Sequence, residues 1–311
     1  RNTMKKIQEL QQVKGDAYDY YIAGNEDTDL FEKIFLVDDI VEEICKPDKY
    51  FLIGEKGSGK TAYSVYMSKS DKINSFCSIS LVENTLYQRF LNMKRQKALE
   101  LSSFKDVWIN LIYLILAEKI RKEYGETFFS SIKYKQLSKA IDVFYSDAFK
   151  PEFVNAFEFV DNASASINSM MKQGLFSTGT KASAETSQKY VEQSFQISLL
   201  KIRDGFEKAF MSVNLKKPTI LFVDGIDARP RDIDNEQYFE CLVGLVNAVL
   251  EMNQSFLKEK QIKIMLLIRP DIMYKMPVHN MNQKLRNNSV LLNWVTSYRK
   301  YIDSRLQTII L

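Results

Sequence analysis

The residues with the clearest chemical capacity are Gly54-Glu-Lys-Gly-Ser-Gly-Lys-Thr61, which fit G-x-x-x-x-G-K-[ST] without deviation. Gly54, Gly57 and Gly59 permit backbone conformations that turn successive N–H groups inward around an anion. A helix opening at Gly59 would aim its positive dipole end at the same anion. Lys60 can then reach β- and γ-phosphates, and the Thr61 hydroxyl can ligate Mg2+. The candidate cradle is therefore Gly54, Glu55, Lys56, Gly57, Ser58, Gly59, Lys60, Thr61 and Ala62, with a nucleoside triphosphate and Mg2+ as the expected ligands. Lys56 invites comparison with the additional lysine of dimeric switch P-loops. Glu55 holds that place, however, so Lys56 reads as an exposed loop lysine.

A second acidic element is Ile220-Leu-Phe-Val-Asp224, an apolar run ending in aspartate. Paired with an upstream phosphate loop, this is the pattern in which a carboxylate holds the magnesium shell, so Asp224 joins Thr61 as a candidate metal ligand. Asp227 follows three residues later and either orients an attacking water or caps the next helix. Arg269 ends Ile264-Met-Leu-Leu-Ile-Arg-Pro-Asp271. Ligands of open α/β sheets bind at such strand ends, so Arg269 either senses a γ-phosphate or pairs with Asp271. Arg286 lies before Ser289-Val-Leu-Leu-Asn-Trp294 and reads as an arginine finger for a neighbouring subunit or as a solvated charge.

These residues must be positioned by strands and helices, and the apolar pattern supplies both. A continuous apolar run at 50–54 reads as a buried parallel strand, 219–224 and 262–269 read as buried strands, and 76–81 and 289–294 read as a second and a fifth short strand. Helical segments are expected at 59–70, 135–148, 152–172, 189–212 and 236–258, with an amphipathic helix over 104–124. The small, polar stretch 174–184 reads as a flexible loop or hairpin. Strands alternating with helices predict a parallel sheet with right-handed crossovers. The organisation expected is a helical segment over 1–46 and a phosphate-binding α/β domain over 47–305. A helical insertion at 82–217 interrupts that domain, and a C-terminal helix or lid begins at 297–311.

Composition excludes several classes. The chain has 311 residues, 45% of them hydrophobic and 26% charged, as expected of a globular protein with its own core. A net charge of +4 is too weak to argue for nucleic acid. The basic segment Lys94-Arg95-Gln96-Lys97 reads as a solvated helix face or as a phosphate-binding stripe. Cys45, Cys77 and Cys241 are scattered, against a disulfide framework or cysteine zinc site. His279 is the single histidine, which excludes His–His metal pairs. No apolar run reaches the ~18 residues of a membrane span, and no signal-peptide pattern is present. The cytoplasm is the expected compartment, with Arg1 to Thr3 reading as a trimmed or added end.

On GEKGSGKT at 54–61, ILFVDGID at 220–227, LLIRPD at 266–271 and KLRNNSVLLNW at 284–294, the chain resembles bacterial P-loop ATPases of the additional-strand type. That branch holds the STAND, KAP and AAA+ groups, and the last two blocks resemble a little-characterised bacterial family with some relatives among antiviral defence genes. The resemblance covers 31–83 and 218–305. It implies a P-loop sheet of order 5-1-4-3-2, a sensor at Arg269 and a finger at Arg286. Two departures stand out: no acid follows Asp224 directly, and the usual C-terminal lid is mostly absent.

The leading expectation is an ATP-binding, ATP-hydrolysing switch. Self-association or a partner effector protein would be engaged through 82–217. No Asn-Lys-x-Asp motif appears after the fourth strand, which favours ATP over GTP. A scaffold that holds ATP with little turnover is the alternative. A small-molecule kinase is disfavoured, because no arginine-rich lid cluster follows the P-loop.

Overall fold

The computed structural model describes residues 16–22, 29, 31–33, 35–82, 104–129, 134–147, 199–227, 229, 235–276 and 285–292. In chain order the elements are α1 (Ala17–Ile22), α2 (Asp39–Cys45), β1 (Phe51–Gly54), α3 (Lys60–Lys69), β2 (Phe76–Leu81), α4 (Phe104–Phe129) and α5 (Lys135–Asp147). There follow α6 (199–212), β3 (Thr219–Asp224), α7 (Asn235–Asn253), β4 (Ile262–Ile268), α8 (Pro270–Lys275) and β5 (Ser289–Leu292). Two compact units divide them. One comprises Arg1–Leu81, Lys217–Asp227 and Gln261–Leu311, and the other Val82–Lys216 and Ala228–Lys260.

The first unit is built on a five-stranded sheet in the order β2-β3-β4-β1-β5, every pair parallel. Counted from the β5 edge, the order is 5-1-4-3-2. β3 and β4 are buried along their whole length, which is why they read as near-continuous apolar runs, with Lys263 the charged residue inside β4. One face packs Leu52, Ile79, Phe222, Met265, Leu267 and Val290 against Tyr20, Phe31, Val41, Tyr63 and Tyr66 of the flanking segments. The N-terminal segment thus contributes to this core. Tyr21 covers the β2 edge: its hydroxyl accepts from Ile79 N at 3.2 Å, satisfying a donor that an edge strand otherwise exposes.

Helix α2 is tied at both ends. Asp38 caps its start by accepting from Ile40 N at 3.1 Å, and accepts from the Tyr63 hydroxyl at 2.9 Å. At its end, the buried Lys263 amine donates to the carbonyls of Ile44 and Lys46. Cations are favourable at helix C-termini, yet burial pushes the Lys263 amine down to about 8, with Cys45 and Cys77 acting the other way.

The second unit is helical in its described residues. α4 departs from the amphipathic expectation. Val107, Trp108, Ile109, Leu111, Ile112, Leu114 and Leu116 are all buried, together with Asn110 and Glu118. The run Trp108-Ile-Asn-Leu-Ile-Tyr-Leu-Ile-Leu-Ala117 is apolar on every face, and a helix apolar all round belongs inside. Gly125 (φ 75°) interrupts the helical path just after the expected end at 124.

Residues 236–258 read as a crossover helix of the α/β part. In the structure α7 belongs with the helical unit and packs on α4. The Trp108 indole donates to Cys241 O at 3.0 Å. Arg203 of α6 donates to Glu207 and Glu251, each at 2.7 Å, and Lys105 pairs with Glu251 at 2.8 Å. Gly244 makes the close approach possible. A Cβ there would stand 2.7 Å from Phe104 Cβ and 3.0 Å from Lys105 N. Gly244→Ala is expected to lower the thermal midpoint, because overpacking costs about 1–3 kcal/mol against a helix-propensity gain near ~1 kcal/mol. A raised midpoint in a thermal melt would contradict that packing.

The expected helix at 152–172, the loop at 174–184, Lys94–Lys97, His279 and the C-terminal 297–311 stretch lie outside the described residues. Among the described residues, no helix is long and apolar enough to cross a membrane.

Candidate functional site

The site forms where β1, β4 and β3 end side by side, a consequence of β4 lying between the other two. β1 runs into the glycine loop at Gly54. A Cβ on Gly54 would stand 2.2 Å from Ser58 Oγ and 3.0 Å from Leu292 Cβ, so only glycine lets the loop fold back on its strand. Ser58 N donates to Glu55 O at 3.1 Å and closes the turn. Gly57 (φ 80°) and Gly59 (φ 95°) occupy the left-handed region that side chains avoid. Gly59 then caps α3 without a side-chain acceptor, leaving the first N–H groups of the helix without a capping side chain. Glu55, Lys56 and Gly57 are exposed, Ala62 is half-buried, and Ser58 and Lys60 are buried.

Lys60 is 6% exposed, and its amine donates to Gly54 O at 2.7 Å and to Glu55 O at 3.2 Å. Asp227 Oδ2 lies 3.9 Å from the same amine. Asp224 accepts from Thr61 Oγ1 at 2.6 Å through one oxygen and from Gly225 N at 2.7 Å through the other. Gly225 sits at φ 84°, in the left-handed region that side chains avoid, so the chain turns directly after the carboxylate. Sequence reading did not single it out, although Asp-Gly is a turn signal. Thr61 and Asp224 are 163 residues apart in the chain, so their hydrogen bond is a product of the sheet order.

Burial governs the charges. It pulls the Lys60 amine below the ordinary lysine range, against the upward pull of Asp227 and Asp224. It raises the Asp227 carboxyl to about 6, against the downward pull of Lys60 and with Asp224 adding to the rise. Each group is thus pushed towards its neutral form although the two face each other. Among the described residues, Ser58 Oγ and Asp227 Oδ1 are buried without a hydrogen-bond partner. Orphaned buried polar atoms carry a desolvation cost unless a ligand meets them.

Arg269 leaves β4 between the loop and the Asp224 strand end. Against the rise that burial gives Asp227, the Arg269 guanidinium charge and backbone N–H both pull that carboxyl downward. Its guanidinium is held by Asp271 in a two-pronged pair, Nε to Oδ1 at 3.0 Å and Nη2 to Oδ2 at 2.8 Å. The ion pair with Asp271, one of the two sequence alternatives for Arg269, is present. Lys60, Thr61, Asp224, Asp227 and the Arg269 backbone are thus brought together at one sheet edge. Arg286 is not among them. It is exposed and precedes β5, whose first residue pairs with Phe51 while Leu292 pairs with Gly54. It therefore lies at the edge of the sheet opposite the loop. The reason is strand direction: in a parallel pair, a residue before β5 shares the level of the start of β1, not its end.

Among the described residues, no group of three or more His, Cys, Asp or Glu side chains is arranged to hold a metal ion by itself. No protein-family model, curated protein or solved structure matches the chain.

Proposed function

We propose that this chain is a P-loop ATPase that binds ATP with Mg2+ and hydrolyses it to drive a conformational or assembly switch. The observation that carries the reading is the Thr61–Asp224 hydrogen bond beside the buried Lys60 amine. A hydroxyl at the head of α3 and a carboxylate at the end of β3 meet where the glycine loop can hold phosphate. The residues fit the ligands. Ser58 Oγ is unpartnered beneath the loop, the Lys60 amine is held by backbone carbonyls, and Gly57 and Gly59 turn the backbone around an anion. Thr61 and Asp224 would hold the magnesium ion, which keeps few protein ligands and takes the rest of its shell from phosphate and water. Bound there, it would supply charge neutralisation between the phosphates. Strand order 5-1-4-3-2 accords with the additional-strand P-loop arrangement.

In this reading Lys60 exchanges the Gly54 and Glu55 carbonyls for phosphate oxygens. Asp227, whose Oδ1 is buried without a hydrogen-bond partner among the described residues, orients a water and accepts its proton as the water adds to the γ-phosphorus. The bond to the bridging oxygen breaks, leaving ADP and inorganic phosphate. Arg286 enters only in an assembly, where it would serve a neighbouring chain. Residues 82–217 would carry the self-association or partner-effector surface.

Asp224→Asn tests the metal role. Magnesium-dependent phosphate release is expected to fall by ~10²-fold while ATP affinity changes only a few-fold, since the backbone cradle remains. Turnover with unchanged magnesium dependence would overturn the role of Asp224. A second reading, a nucleotide-holding scaffold with little turnover, is favoured by one observation: the residue after Asp224 is Gly225, which carries no carboxylate. Tight ATP retention without phosphate release in the wild-type chain would select it.

A further inference from the structure

We propose that Asp271 is a positioning residue: it holds the Arg269 guanidinium and yields it to the terminal phosphate of a nucleoside triphosphate. The pair thereby discriminates triphosphate from diphosphate. The proposal rests on the nucleotide reading above.

Arg269 is anchored twice. It follows directly on Ile268, which β4 pairs with Ile53 of β1, and its carbonyl accepts from Met273 N at 3.1 Å at the start of α8. Pro270 at the first position of α8 fixes the turn and places Asp271 beside the arginine. With Ile268 opposite Ile53, Arg269 leaves β4 level with Gly54, where the loop begins, and Asp227 faces the Lys60 amine at 3.9 Å. Its charge is felt at both Lys60 and Asp227.

The hold is of a kind that can be exchanged. The pair is two-pronged, but its side chains are 28% and 43% exposed. Ion pairs this open to water contribute little stability. A phosphate offers the same forked acceptor geometry as a carboxylate, with more charge. Asp271 therefore occupies Arg269 in the way an anionic ligand would. A γ-phosphate arriving beyond Lys60 competes for the guanidinium, and a diphosphate, lacking that group, leaves the pair in place.

The experiment is equilibrium binding of Mg2+ with ADP or with a β,γ-imido ATP analogue. It uses the full chain as wild type, Asp271→Asn, Asp271→Glu, Arg269→Ala and the Arg269→Ala/Asp271→Asn double variant. Asp271→Asn should tighten the triphosphate analogue by about two- to fivefold, the range set by an exposed ion pair, and alter ADP affinity by less. Asp271→Glu should behave as wild type. The gain should vanish when Arg269 is also replaced, because the two residues act as a unit. Equal changes for both nucleotides, a gain that survives in the double variant, or no change at all would each overturn the proposal. If both nucleotides bind the wild type, such a failure leaves the nucleotide reading standing. If neither binds, that reading falls and the proposal falls with it.

Discussion

Lys60→Ala is expected to weaken ATP binding by ~10²-fold or more while leaving the fold in place. A charge-assisted hydrogen bond to phosphate contributes about 1.5–3 kcal/mol, and Lys60 has more than one donor to give. The fold has little to lose. Lys60 bonds only the loop carbonyls of Gly54 and Glu55 and faces Asp227, and it takes no part in the apolar cluster on the sheet. Burial already disfavours its charge. The check is titration with a fluorescent ATP analogue alongside a thermal melt. Unchanged affinity would remove Lys60 from the phosphate site.

Asp227→Asn is expected to lower turnover by ~10²-fold with nucleotide still bound, in the range of a lost general base. The pH profile makes this specific. The Asp227 carboxyl lies at about 6, so wild-type kcat/KM should fall tenfold per pH unit below that value, and the limb should be absent from the Asn variant. Stability moves the opposite way. A carboxyl whose folded value exceeds its unfolded one binds more protons when folded, so its stabilisation is full below about 4 and is lost as pH rises to about 6. The Asn variant should therefore gain stability relative to wild type across that window. Denaturant titrations at pH 4 and 6 measure the difference. A variant that hydrolyses ATP at the wild-type rate would leave Asp227 a structural role only.

The glycine loop was legible because its chemistry is written in eight consecutive residues, Gly54 to Thr61. β3 and β4 were legible for a related reason: buried on both faces, they appear as apolar runs ended by Asp224 and by Arg269-Pro270. What spacing could not supply was partnership across the chain. That Asp227 faces Lys60, or that Lys263 closes the end of α2 across 219 residues, depends on which strands become neighbours. Arg269 offered two partners, and one sequence cannot weigh an ion pair with Asp271 against an absent anion. The inward burial of α4 was misread from its spacing, because Phe104, Val107, Trp108 and Leu111 fall at helical intervals. Ile109, Ile112 and Leu114 fill the other faces and carry the helix inside. Arg286 was read from its place before a strand, and strand direction then sets it at the edge away from the loop.

The central claim is that the loop at 54–61 binds a nucleoside triphosphate. Isothermal titration of MgATP into the wild-type chain tests it most directly. The account predicts saturable binding at one site per chain, with a Kd of about 1 μM to 1 mM, the ordinary range for enzyme substrates. Absence of saturable binding at millimolar MgATP, in a protein that melts cooperatively, would contradict it.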